Sequence, residues 1–239
     1  MNDKVIKLID EFNYGGHLVW VDDFSGAYAR GKKLDEALLK LPKELQQYCN
    51  WAGIELDVAN IELQIVQRKE SCLQICDADS DVLFDSEKGR LTPSEYARLK
   101  ALALKSAKDF LDMYNSVPSK EGTTLSKRAT FYGEIPTTAK EMYLHTKNVN
   151  AYYFGEIGIE ADNDGDIYSC RLRAFNLLEQ QKDFLQNAVY VDEAEEQWTL
   201  KKVLRRFIWH DRIHAKAMYR MAVRTFGEKN VVNVFNFNI

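Results

Sequence analysis

Residues 198–226 read WTLKKVLRRFIWHDRIHAKAMYRMAVRTF, and this stretch decides how the second half of the chain folds. It predicts one long helix, ended by Gly227 just past the last turn, where glycine tolerates left-handed backbone. His210 and His214 stand four residues apart within it, so their imidazoles lie one above the other on a single helix face. Ile208, Trp209, Ile213 and Ala217 surround them and make the segment half-buried. Two stacked imidazoles in such a place would repel if protonated, and metal ligation removes the conflict by holding both neutral.

Working outward, the residues upstream are also helical from Thr92. Thr92-Pro-Ser-Glu95 is a helix start, with Thr92 as N-cap, Pro93 in the first helical position and Glu95 completing a capping box. That helix runs to about Ser116 and stops before Pro118. A polar stretch, 119–127, follows. Thr138-Ala-Lys-Glu141 repeats the capping box and opens a helix that carries His145 and continues to about Ile157. Cys170 to Asn187 forms the next helix, with Leu172, Phe175, Leu178, Phe184 and Leu185 on its core face. His145 lies ~12 Å into its helix and His210 ~16 Å into the last one, at 1.5 Å per residue. If both helices enter from the same end, the three imidazoles can converge. Four helices joined by loops of these lengths predict a four-helix bundle, a fold that hosts metal sites on inward-facing side chains.

The first ninety residues have a different texture. His17 to Val21 reads as a strand, 22–26 (DDFSG) as a turn in which Gly26 supplies an unusual dihedral, and Ala27 to Arg30 as a returning strand ended by Gly31. Leu34 to Ala52 has helical spacing through Leu34, Leu38, Leu41, Leu45 and Tyr48, with Pro42 expected to kink or divide it. Glu62 to Arg68, Cys72 to Cys76 and Val82 to Phe84 look like further strands, and the tail from Val231 to Ile239 is β-prone. The expected class is α+β: a small sheet domain over residues 1–90, then a helical bundle over 91–239.

Composition narrows the function. The chain has 239 residues, 46% apolar and 28% charged, with a formal charge of −4 from 36 acidic and 32 basic residues. No basic stripe marks a nucleic-acid surface, so nucleic acid is not an expected partner. No run of about 18 apolar residues could span a bilayer, and no signal layout opens the chain, so a cytoplasmic protein with no membrane partner is expected. The four cysteines are scattered and read as free thiols. Cys72 and Cys76, on one face of a strand, read as two small buried residues. Two acidic runs, 77–81 and 162–166, begin with calcium-like alternation. The EF-hand loop needs Gly sixth and Glu twelfth, and these runs offer Val82 and Lys88, or Ile167 and Arg173. Both read as solvated turns.

Residues from about 92 to 227 resemble the DinB/YfiT superfamily of metalloenzymes. The resemblance rests on His145 within EMYLHTKNVNAYYFGEIG (141–158) and on the HxxxH pair within 198–226, with Trp198-Thr199 opening that helix and Asp211 following the first histidine. It implies a four-helix bundle with one histidine on the second helix and two on the fourth, holding a divalent metal, zinc or nickel. It further implies a homodimer, and in some members thiol-dependent transfer or related chemistry on small molecules. The run GHLVWVDDFSGAYARGKKLDEAL (16–38) is similar to the HicB-like α+β module. Antitoxins of that kind carry a separate DNA-binding segment, and the continuation here is different, so an accessory or oligomerisation domain is expected.

The residues expected to hold the metal are thus His145, His210 and His214; His17, in the first sheet, is read as structural. Three neutral nitrogens leave an ion's charge uncompensated, which lowers the proton affinity of a water or low-molecular-weight thiol near it. That predicts a metal-dependent transferase or hydrolase acting on a small molecule. The alternative is a non-catalytic metal-binding protein whose N-terminal module mediates protein–protein interaction, its metal closed by a fourth protein ligand. Glu156 is three turns from His145 and too remote; Tyr152 and Asp211 are nearer in sequence, Tyr152 as a pocket residue.

Overall fold

The computed structural model describes residues 4–130 and 133–239. Its class is α+β, a four-stranded sheet with five helices among the described residues. Two compact units each draw on two stretches of chain: residues 1–99 with 183–209, and 100–182 with 210–239.

In the first unit, β1 (Lys4–Asn13), β2 (Gly16–Val21) and β3 (Tyr28–Gly31) form an antiparallel meander, and α1 (Leu34–Ala52) returns the chain to β4 (Ile61–Glu70). The sheet order is β3-β2-β1-β4, with β4 parallel to β1 and a register slip between Leu8 and Ile9. Strand β1 carries Asp10 and Glu11 among its apolar residues, and both are buried because both are partnered. Asp10 accepts from His17 Nδ1 at 2.8 Å and from Arg68 Nε at 3.0 Å. Glu11 accepts from Trp20 Nε1 at 3.1 Å and from Ser80 Oγ at 2.6 Å.

Between β2 and β3, Gly26 takes φ +88°, as the turn requires, and a Cβ there would sit 2.8 Å from the Trp209 backbone nitrogen. Helix α1 has the expected bounds and passes through Pro42 without dividing. Ala37 and Leu41 before the proline, and Leu45 and Tyr48 after it, are buried. Both flanking turns are therefore anchored, and packing outweighs the lost hydrogen bond.

Three expected strands are not strands. Cys72 to Cys76 is a turn leading into a 3₁₀ segment, Ile75–Asp77, and both thiols are exposed rather than buried. The Asn13 amide holds this turn by donating to the carbonyls of Ser71, 3.2 Å, and Leu73, 2.7 Å. Residues 82–84 are buried coil whose carbonyls are taken by side chains, Val82 by Arg205 at 2.8 Å and Leu83 by Gln67 at 3.0 Å. The tail beyond Val231 buries Phe235 and Phe237 without pairing as a strand; instead Asn233 bonds the Phe237 backbone on both sides, at 2.8 and 2.9 Å.

The remaining helices are α2 (Pro93–Ser116), α3 (Ala139–Gly155), α4 (Ile167–Leu178) and α5 (Leu200–Phe226). Helix α4 begins earlier than expected because Asp166 caps it, accepting from Ser169 N at 2.8 Å. It also ends nine residues earlier, before a 3₁₀ turn at Phe184–Gln186 flanked by Asp183 and Asn187 in left-handed backbone. Gly227 closes α5 at φ +88°, its N–H donating to Val223 O at 2.9 Å. Among the described residues no helix is long and apolar enough to cross a membrane.

Candidate metal centre

Helix α3 starts on a complete capping box. Thr138 Oγ1 accepts from the Glu141 backbone at 3.1 Å, and the Glu141 carboxylate accepts from the Thr138 backbone at 3.1 Å. This fixes the start of the helix two turns before His145. Helix α5 supplies the other pair. The ring centroid of His145 lies 5.2 Å from that of His210 and 4.6 Å from that of His214, and the α5 pair are 4.4 Å apart. One nitrogen from each ring falls within 4.8 Å of the other two, the one such cluster of three among the described residues. His210 is buried, His214 half-buried, and His145 forms the open rim.

Tetrahedral ligation at 2.0–2.1 Å sets the nitrogens about 3.3 Å apart. The nitrogens of the three rings, up to 4.8 Å apart, are thus about 1.5 Å more widely spread than in such a site. The electrostatics favour the ligating form. Burial, reinforced by the charge of His145, pushes His214 down to about 3. Enclosure of one side of His145 lowers that ring as well. Neutral imidazoles have no proton to lose before they ligate.

The polar residues near this cluster divide differently from their order in sequence. Tyr153 packs edge-on against His210, with centroids 6.0 Å apart, and Tyr152 is 49% exposed. Trp209 packs on Trp20, at 5.2 Å, and on Tyr28. Asp211 is not available as a base. Its side chain is fully buried and clasped by the Arg171 guanidinium, one bond being 3.0 Å, and by Ser106 Oγ at 2.5 Å. Burial pushes the Asp211 carboxyl up while Arg171 and Ser106 hold it down. Sequence reasoning missed Arg171 and Ser106; the one available signal was an arginine among Ala174, Phe175 and Leu178, on the buried face of α4.

His17, read as structural, is stacked on Phe12 with centroids 5.7 Å apart and bonded to Asp10. In the acidic loop at 162–166, Asp162 accepts from Arg173 at 2.5 Å and from the Asp164 backbone at 2.8 Å, consistent with a self-satisfied turn. No family model matches the chain, and neither the curated proteins nor the solved structures yield a match.

Proposed function

We propose that the chain is a divalent-metal-dependent enzyme of the DinB/YfiT type, with its helical part a four-helix bundle and with His145, His210 and His214 as the ligands for zinc or nickel. One observation carries this: three imidazoles from two helices converge with one nitrogen each inside 4.8 Å, and among the described residues no carboxylate or thiol joins the group. The chemistry that a divalent ion supplies in such a set is a lowered proton affinity for a small nucleophile, thiol or water.

The protein's own residues do the rest. Tyr153 packs edge-on against the His210 ring. His145, on the exposed rim, leaves one side of the cluster accessible to a small molecule. Asp211 is engaged by Arg171 and Ser106 and is not among the grouped ligands. These features support a transferase or hydrolase whose nucleophile is a low-molecular-weight thiol or water.

Titrating metal-free protein with cobalt(II) tests the proposal. Visible bands of a nitrogen-ligated ion should saturate at one equivalent and shift when a low-molecular-weight thiol is added. Absence of saturable bands, or bands unaltered in His210→Ala, would contradict the ligand assignment. Bands that saturate but ignore thiols and other exogenous ligands would favour a closed, non-catalytic metal instead.

A further inference from the structure

Within the helical unit, Arg171, Asp211 and Ser106 form a charged cluster with every side chain buried. Arg171 comes from α4, Ser106 from α2 and Asp211 from α5. The Arg171 guanidinium makes two parallel bonds to the Asp211 carboxylate and a third, at 3.0 Å, to the Ala103 carbonyl on α2. Ser106 Oγ reaches the same carboxylate at 2.5 Å. Three helices thus meet at one carboxylate.

A buried ion pair is weak evidence for stability, because apolar side chains of similar volume often do as well. Its value lies in geometry: a forked guanidinium accepts a carboxylate in one orientation, whereas apolar contacts tolerate sliding and rotation. Asp211 is one residue after His210 and three before His214. On the helix it projects about 100° from the first and about 60° from the second, within one turn of both along the axis. Any rotation of α5 that displaces Asp211 therefore displaces both imidazoles. At about 6 Å from the helix axis, a 10° turn moves a ring by about 1 Å. That is already beyond the tolerance of about 0.5 Å within which a ligand constellation functions.

We infer that Arg171, Asp211 and Ser106 are positioning residues that set the rotation of α5 and so aim His210 and His214 at His145. The part of this concerning metal affinity rests on the three-histidine reading above; the part concerning ring geometry does not.

The test replaces the pair by apolar residues, R171M with D211L, and adds R171K, which keeps the charge but loses the fork. Two quantities are measured beside thermal stability: nuclear Overhauser contacts between the imidazole protons of His145 and those of His210 and His214 in metal-free protein, and zinc affinity by calorimetry. The wild-type rings, 4.6 to 5.2 Å apart, should show these contacts. In R171M/D211L they should weaken or vanish although the melting temperature is retained, and zinc affinity should fall at least about tenfold, as losing the support behind metal ligands typically costs. R171K should fold and show an intermediate loss of both. If the apolar variant does not fold, R171K alone decides. Unchanged inter-ring contacts in a folded variant would overturn the inference. Lost contacts in the variants, with no zinc bound even by the wild type, would sustain the positioning role and refute the metal reading.

Discussion

His214 is the residue whose surroundings make the most specific demand. Folded, it stays neutral down to about pH 3; unfolded, it takes up a proton near its ordinary 6.5. Between those values the unfolded chain binds more protons, so the contribution of His214 to stability is complete above about pH 6.5 and is lost as pH falls toward 3. The slope approaches about 1.4 kcal/mol per pH unit. We therefore expect metal-free His214→Ala, compared with wild type by urea unfolding between pH 6.5 and 4, to show a shallower loss of stability with acid. Equal slopes would mean that the ring titrates normally in the folded state. The histidines were legible in the sequence because ligand spacing on a helix is a local property. The buried charges were not. Asp10, Glu11 and Arg171 look like surface residues until their partners are known, and those partners lie 7 to 69 positions away along the chain.

At the scale of elements, the helices with strong punctuation were read closely. The start of α3 depends on the Thr138–Glu141 box, so Thr138→Ala should cost about 1 kcal/mol in denaturant unfolding. A cost near zero would show that the helix starts without the cap. The β2–β3 turn makes a harder demand. Gly26→Ala would place a Cβ against Ile208 Cγ2 and the Trp209 nitrogen, both at 2.8 Å, in addition to forcing an alanine to positive φ. We expect a loss of about 1–3 kcal/mol, read as a lower denaturation midpoint. A neutral alanine variant would show that the turn can relax. The elements misread were those where apolar content was mistaken for strand formation. Residues 82–84, and Phe235 and Phe237 in the tail, are buried, and nearby backbone groups are satisfied by Arg205, Gln67 and Asn233 rather than by a ladder. Strand β1 was overlooked for the converse reason, since two carboxylates interrupt its apolar pattern.

For the whole molecule, the α+β class was readable from the change of periodicity along the chain, but the composition of the two units was not, since each joins segments distant in sequence. Helix α5 shows why. Its first part carries Arg205, paired with Glu87 at 2.5 Å and lying 3.9 Å from the Phe84 ring centroid, whereas its second part carries His210 and His214. Basic residues early in a helix read as solvent-facing, and only their carboxylate and aromatic partners mark that stretch as buried. If the folded protein binds a divalent ion and the unfolded chain does not, saturating zinc should stabilise it by about 2.7 kcal/mol at one hundred times the dissociation constant. A melting temperature indifferent to zinc would oppose that linkage.

The central claim is tested most directly by elemental analysis of protein purified without a metal-affinity tag and dialysed against chelator-treated buffer to which only zinc or nickel has been added, excess ion then being removed. The account predicts one equivalent of zinc or nickel per chain, lost in His210→Ala and in His214→Ala while both variants remain folded. Wild-type protein without stoichiometric metal, or a folded variant that keeps its full equivalent, would contradict it.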